Sequence, residues 1–295
     1  MPSSRAFSRA LRYAQFPLRK KRILNFFTAQ IIDEFRANAG RVGGQFDGAR
    51  LLLLTTTGAR SGKPHTTVLG YYPDLSDRLL VVGSAGGGPK HPDWYHNLLA
   101  DPRATVETGA FTYEAEAEVL RDAERDETFA RLTEADPGWG EYQSKTSRTI
   151  PVVALRQLQP TPVNGSSFGE MLRTIHDSYR RELALIRRDL TTSGPSLGAQ
   201  LRINCLTLCA SLHIHHGHES SGLFPTLRAR YPELEQTLDQ LEAEHTKVAT
   251  LLETLQSHLS SATPTALLPE IDALIETLLH HLDYEEAQLI PLMDG

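Results

Sequence analysis

The stretch His215-His216-Gly217-His218-Glu219 returns in altered form as His280-His281-Leu282-Asp283-Tyr284-Glu285. In each, a His is followed four residues later by a Glu: His215 by Glu219, and His281 by Glu285. Residues four apart share one face of a helix, so each stretch aims an imidazole and a carboxylate at the same place. Two such pairs on two helices are what a two-metal carboxylate–histidine site in a helix bundle requires. Of the twelve His, nine lie after residue 175, which assigns the metal chemistry to the C-terminal part of the chain.

Outward from these pairs the apolar spacing is that of a bundle seam. Leu172, His176, Tyr179, Leu183, Ile186 and Leu190 are separated by alternating steps of four and three. Leu201, Cys205, Leu208, Leu212, His215 and Glu219 keep that rhythm, as do Leu234, Leu238, Leu241, His245, Val248, Leu252, Leu255 and Leu259. Leu267, Ile271, Leu274, Leu278, His281 and Glu285 form a fourth seam. Breaks at 191–196, 231–232 and 260–265 predict four antiparallel helices with short connections. At about 1.5 Å per residue, His176 and His215 lie roughly 24 and 27 Å from the first turn, and His245 and His281 about 22 Å either side of the third. Four His and two Glu therefore sit inward at one level. Burying six polar groups together costs several kcal/mol unless something satisfies them, and a metal pair is the expected partner. His213, His216, His218 and His280 flank the seam and read as supporting or surface residues. Gly217 weakens its helix by about 1 kcal/mol.

The first half has a different period. Leu51–Thr57, Thr66–Tyr72, Leu79–Ser84, Ala104–Glu107, Thr112–Leu120 and Ile150–Leu155 read as strands, with helices over 93–100 and 122–135. Many short strands with few helices predict a small barrel. The turn Gly58-Ala59-Arg60-Ser61-Gly62-Lys63 offers backbone N–H groups, a guanidinium and an ammonium, a combination that binds phosphate or carboxylate. Gln159 to Ser167 is linker-like in composition. The resulting division is a barrel over 1–158, a linker over 159–167 and a bundle over 168–295, an α+β chain of two domains.

Residues 1–39 predict one or two helices. Arg5, Arg9, Arg12, Arg19, Lys20, Lys21 and Arg22 are basic, and no acid precedes Asp33. The first reading is a helix packed on its own domain or on a second subunit; the alternative is a peripheral membrane contact. A net charge of −6 gives no support to nucleic-acid binding as the main role. Cys205 and Cys209, four apart on one helix, read as reduced core thiols of a cytoplasmic protein. No apolar run reaches transmembrane length and no signal peptide is visible.

Two resemblances extend this reading. Thr55-Thr-Thr-Gly-Ala-Arg-Ser-Gly-Lys-Pro64, Ser84-Ala-Gly-Gly87, His91-Pro-Asp-Trp-Tyr-His-Asn-Leu98, Tyr142-Gln143 and Ile150-Pro-Val-Val153, in this order, resemble the deazaflavin-dependent nitroreductase and quinone reductase family over about 38–157. The resemblance implies a split β-barrel of the FMN-binding type that holds coenzyme F420, with FMN as the alternative. It implies that Arg60, Ser61, Gly62 and Lys63 hold the phosphate and acidic tail. Ser84, Ala85, Gly86 and Gly87 would run along the deazaflavin ring, and His91, Trp94 and Asn97 would brace the fold. Asp136 and Trp139 stand where family nitroreductases often carry substrate-facing tyrosines, whereas Tyr142 remains as a candidate catalytic group.

The set His176, His215-x3-Glu219, His245 and His281-x3-Glu285 resembles the hemerythrin-like cation-binding domain over about 168–293. It implies two irons per chain, bridged by Glu219 and Glu285 and capped by the four His. Oxygen-carrying hemerythrins have a second His one turn after the third-helix ligand; here that position is Ala249, which favours reactivity over carriage. Together the resemblances imply an oxidoreductase that passes electrons from reduced F420 to a diiron centre, with Glu219 and Glu285 catalytic. Oxygen would be the acceptor, with peroxide or nitric oxide as others. The rivals are a deazaflavin-dependent quinone or nitro reductase whose bundle senses oxygen or iron, and a binding module on a barrel without turnover. A homodimer is compatible with each.

Overall fold

The computed structural model describes residues 18–75, 78–109, 111–158, 167–192, 197–259 and 264–294, with backbone alone at 18–27 and 264–265. The side chains of the basic N-terminal segment, and the linker over 159–166, lie outside the described residues. The chain divides into two compact units, Met1–Asn164 and Gly165–Gly295.

The first unit is a closed six-stranded barrel. Its strands are β1 (Leu51–Thr57), β2 (Pro64–Pro73), β3 (Arg78–Val82), β4 (Arg103–Glu107), β5 (Thr112–Val119) and β6 (Val152–Gln157). They follow one another around the barrel as β1-β2-β3-β6-β5-β4, and every pairing is antiparallel. The helices are α1 (Leu18–Ala37), α2 (Asp93–Ala100), α3 (Asp122–Ala135) and α4 (Gly138–Ser144).

The period of two explains why β1 is apolar throughout. Leu52 and Leu54 point into the barrel, where they meet Val81, Val106, Ala115, Val153 and Leu155, with Trp94 and Leu98 of α2 in the same cluster. Leu51 and Leu53 point outward and are covered by Phe35 of α1 and Val42. β3 and β6 are likewise covered on their outer face, where Leu80, Val82, Val152 and Ala154 pack with Phe129, Leu132, Trp139 and Tyr142 from α3 and α4. Strands buried on both faces lose the polar alternation of a one-sided sheet. Arg36 clamps α1 to β4 through both carboxylate oxygens of Glu107, at 2.8 and 2.6 Å.

The second unit is a bundle of four long helical segments. They are α5 (Phe168–Thr192), α6 (Ala199–His218) continuing into α7 (Phe224–Arg230), α8 (Glu235–His258) and α9 (Pro264–Met293). One π-turn, Glu219–Leu223, joins α6 to α7. There Phe224 N–H donates to the Glu219 carbonyl five residues back. Pro225 follows, and a proline has no N–H for the ordinary ladder, so the wider turn absorbs the break. Two apolar clusters fill the bundle, one from Tyr179 through Leu212, Val248 and Leu278 to Leu282, the other around Phe224, Leu238, Leu241 and Leu289. No helix among the described residues is long and apolar enough to cross a membrane.

Candidate metal centre and coenzyme face

Between the two apolar clusters of the bundle lies a layer of polar side chains. His176 comes from α5, His215 and His216 from α6, Glu219 from the π-turn, His245 from α8, and His281 and Glu285 from α9. His176, His216, Glu219, His245, His281 and Glu285 are buried, and the His215 side chain is 10% exposed. The helical periodicities put all of them at one level, as the rises per residue require.

The carboxylates lie between the imidazoles. Glu219 Oε1 is 3.2 Å from His215 Nε2, and its Oε2 is 3.5 Å from His245 Nε2. Glu285 Oε2 is 3.5 Å from His176 Nε2 and 3.7 Å from His281 Nε2. Each Glu therefore spans two His from different helices. His176, His215 and Glu219 form one group able to hold a metal ion; His216, His245 and His281 form a second; Glu219, His245 and Glu285 form a third that connects them.

Outer partners fix the rings. His176 Nδ1 meets Glu286 at 2.8 Å, and Arg180 holds that same carboxylate at 2.8 Å. His281 Nδ1 meets Glu244 at 2.9 Å, and His245 Nδ1 meets Ser220 Oγ at 2.8 Å. With Nδ1 occupied, Nε2 is the free donor and faces inward, the arrangement by which outer carboxylates orient metal-binding imidazoles. Phe224 stacks on His245 with ring centroids 5.2 Å apart, and Tyr179 lies 5.3 Å from His215, so the layer is walled by aromatic rings.

The donor set fits a metal pair. Nine buried atoms here have no hydrogen-bond partner among the described residues: the Nε2 atoms of His176, His215, His216, His245 and His281, and both oxygens of Glu219 and of Glu285. Burial pushes His215 and His245 down to about 3, with help from neighbouring imidazoles. Burial likewise raises the Glu219 and Glu285 carboxyls. Without a cation the pocket is thus driven toward neutrality; a multivalent cation would satisfy the same nine atoms and reverse that preference.

His216 was expected among supporting or surface residues. The structure buries it inside this layer, its ring stacked on that of His245 at 4.4 Å. The expectation followed one residue per turn. The inward stripe of α6 is wider: Leu212, His215, His216 and Glu219 are spaced i, i+3, i+4 and i+7, the full apolar face of a bundle helix. Glu244, Glu286, Ser220 and Arg180 were also missed. Nothing marks them locally: Glu244, Glu286 and Ser220 each lie across from a His on another helix, and Arg180 acts by holding Glu286.

On the barrel, Gly58–Lys63 forms the tight turn between β1 and β2. Gly58 N–H donates to the Lys63 carbonyl at 2.8 Å and Gly62 N–H to the Gly58 carbonyl at 2.8 Å, with Gly62 at φ +63. Ser61 Oγ accepts the Lys63 N–H at 3.3 Å, and its hydroxyl lies 3.1 Å from His65. Arg60 and Lys63 are exposed, and among the described residues neither is in an ion pair. Asn97 supports the turn from α2, accepting from Ala59 N–H at 3.0 Å and donating to Thr56 at 2.9 Å. Trp94 packs in the inner cluster of the barrel and His91 accepts from Arg148.

Ser84-Ala85-Gly86-Gly87 makes a short 3-10 turn in which Ala85, Gly86 and Gly87 have φ of 45°, 62° and 78°. A Cβ on Gly87 would lie 2.8 Å from the Tyr142 carbonyl, so Gly87 is needed for the close packing of this loop on α4. Arg148 was not foreseen and holds the loop from behind. It donates to the carbonyls of Gly83 at 3.1 Å, Ser84 at 2.5 Å and Gly88 at 2.9 Å, and to His91 Nδ1 at 3.0 Å. Because a guanidinium only donates, His91 Nδ1 is the acceptor, and burial followed by the Arg148 and His96 charges lowers the His91 pKa.

Tyr142 is 2% exposed and packs in the outer apolar cluster beside Trp139. Trp139 donates to the Tyr72 hydroxyl at 2.9 Å, and Asp136 accepts the Gly138 N–H at 2.9 Å where α4 begins. Helix formation over 138–144 turned these residues inward.

Comparison with known proteins agrees with both units. The family described as F420H(2)-dependent quinone reductase matches residues 29–157, and the Hemerythrin HHE cation binding domain matches residues 167–293. An F420H(2)-dependent quinone reductase of Mycobacterium tuberculosis is 40% identical over 127 residues, which make up 41% of this chain and 83% of that protein. A solved structure of an F420-H2 dependent reductase (FDR-A) is 38% identical over 36% of this chain and 94% of its own, with a TM-score of 0.34. The chain belongs, by its barrel, to the F420H(2)-dependent quinone reductase family, and carries a hemerythrin HHE cation-binding domain fused behind it.

Proposed function

We propose that the barrel oxidises reduced F420 and delivers its two electrons to a quinone-type acceptor, while the bundle holds a pair of iron ions. The observation that carries the first part is the 40% identity to a quinone reductase over 83% of that relative's length. The bound coenzyme supplies a hydride, and a quinone that accepts it and a proton becomes a hydroquinone. Arg60 and Lys63 bind the coenzyme's anionic end at the Gly58–Lys63 turn. Ser84–Gly87 offers a glycine-rich backbone edge for the ring, and Arg148 keeps that edge in place through three carbonyls. What supports the second part is the set of nine orphaned donor atoms in one buried layer. His176, His215, His245, His281, Glu219 and Glu285 would hold the metals, which supply one-electron and oxygen chemistry when bound.

The test follows reduced F420 by absorbance without oxygen, with a soluble quinone added. Oxidation that depends on both the protein and the quinone supports the reading; no oxidation with any quinone overturns it. Oxygen as the acceptor is the second reading, favoured by the buried His and Glu layer fused to a reductase barrel. Coenzyme-driven oxygen uptake that Glu285→Gln abolishes would place it first.

A further inference from the structure

The two metal-binding stretches of the bundle are near copies with one telling difference. Leu212-x2-His215-His216-x2-Glu219 aligns with Leu278-x2-His281-Leu282-x2-Glu285. Both occupy the positions i, i+3, i+4 and i+7 of one helical face. Leu282 is buried in the apolar cluster at 0% exposure. Its counterpart His216 is buried at 6%, and its Nε2 has no partner among the described residues. A leucine satisfies this kind of position without cost, whereas a buried imidazole without a partner carries a desolvation penalty.

What His216 faces explains the exchange. Its ring stacks on His245 at 4.4 Å and stands edge-on to His281 at 5.2 Å. One ring nitrogen from each of the three lies within 4.8 Å of the others. The Nδ1 atoms of His245 and His281 are taken by Ser220 and Glu244, which leaves their Nε2 atoms for the shared space. Ala249, one turn beyond His245, brings no donor to this end of the layer. At the other end, the group able to hold an ion is His176, His215 and the Glu219 carboxylate, and the His216 ring lies 5.4 Å from that of His215.

We propose that His216 is a fifth imidazole ligand of the metal pair, binding with His245 and His281 to one of the two ions. The proposal rests on the reading that the bundle holds a metal pair. The donor set would then be asymmetric: His216, His245 and His281 would serve one ion and His176 and His215 the other, with Glu219 and Glu285 lying among them.

The experiment compares the full chain with His216→Phe, His216→Leu and, as control, His218→Ala at an exposed neighbour. The Phe variant keeps a ring at the stacking position and removes only the donor. Each protein is titrated anaerobically with ferrous iron, its bound iron is counted, and its cobalt(II) absorption is recorded. Both His216 variants are expected to bind the second ion at least about tenfold more weakly, since even outer partners of metal sites act on that scale. Their cobalt spectra should change, while the control matches wild type. Without metal, the two variants should melt no lower than wild type, because an unpaired polar group has been removed. Unchanged iron affinity and cobalt spectrum in His216→Phe would overturn the proposal and leave His216 a packing residue. So would metal-free variants that melt far below wild type. A wild-type chain that binds no metal would instead overturn the metal-pair reading, and this proposal with it.

Discussion

His176 Nδ1 lies 2.8 Å from a carboxylate oxygen of Glu286, which holds from outside an imidazole that belongs to the buried inner layer of the bundle. The contact fixes the proton on Nδ1 and leaves Nε2 as an inward electron-pair donor. Glu286→Gln should preserve the shape and lose the charge. We expect metal affinity to fall on the order of 10–100-fold while the metal-free fold is kept. Metal analysis after dialysis against a graded chelator measures it; full retention would mean that Glu286 serves only its ion pair with Arg180.

Coenzyme binding is predicted to depend on charge at one turn. Arg60 and Lys63 flank Gly62 on the exposed tip between β1 and β2. Replacing both with Ala should weaken F420 binding by about 1–3 kcal/mol, the scale of charge-assisted hydrogen bonds, and wild-type affinity should fall with added salt. Fluorescence titration of the coenzyme reads both effects.

The barrel contains an acid-sensitive brace. Asp74 accepts from Arg78 at 2.7 Å and from Arg131 at 3.2 Å. Burial alone would raise its pKa, but the hydrogen bonds from Arg78 and then Arg131 outweigh it, and the value lies below the ordinary 3.8. A lowered carboxyl pKa stabilises the fold at pH above its unfolded value, and that stability is lost as pH falls through the folded value. Asp74→Asn should cost on the order of 1–3 kcal/mol at neutral pH, and the difference from wild type should shrink below about pH 4. Urea melts at pH 7 and pH 3 measure this.

Much of this architecture is legible in the residues alone. Leu51 to Thr57 reads as a strand because seven strand-forming residues run unbroken to a glycine turn, and the bundle reads from its alternating steps of four and three. His176, His215, His245 and His281 can be placed at one level from the helical rise. The remainder depends on contacts between distant segments. Glu286 and Glu244 look like ordinary solvated acids until α5 brings His176 against the first and α9 brings His281 against the second. Arg148 sits in a short connection with no pattern, and its role arises from three carbonyls about sixty residues earlier. The π-turn at Glu219–Leu223 has Pro225 as its one local sign. The burial of Tyr142 is not legible because α4, a helix of seven residues with three glycine or serine positions, carries little periodicity.

The division of labour between the units can be separated by mutation. Glu285→Gln should release metal from the bundle, since a buried carboxylate lying near both His176 and His281 is lost. If the quinone is reduced at the barrel, the variant should keep its affinity for F420 and its quinone-dependent rate within about twofold of wild type, because Glu285 belongs to a different compact unit from the Gly58–Lys63 turn and shares no partner with it. A loss of quinone reduction in step with metal would favour oxygen or metal-linked chemistry as the main activity.

Hydride transfer from reduced F420 at this barrel can be measured directly under anaerobic conditions. Purified wild-type protein and the Arg60→Ala/Lys63→Ala variant are mixed with reduced F420 and a soluble quinone, and the return of oxidised coenzyme is followed by absorbance. Wild type is expected to oxidise the coenzyme steadily and only with the quinone present, and the variant to need a markedly higher coenzyme concentration to reach the same rate. Reduced F420 that stays reduced in the presence of wild type and every quinone offered, or oxidation that the variant performs equally well at low coenzyme, would contradict it.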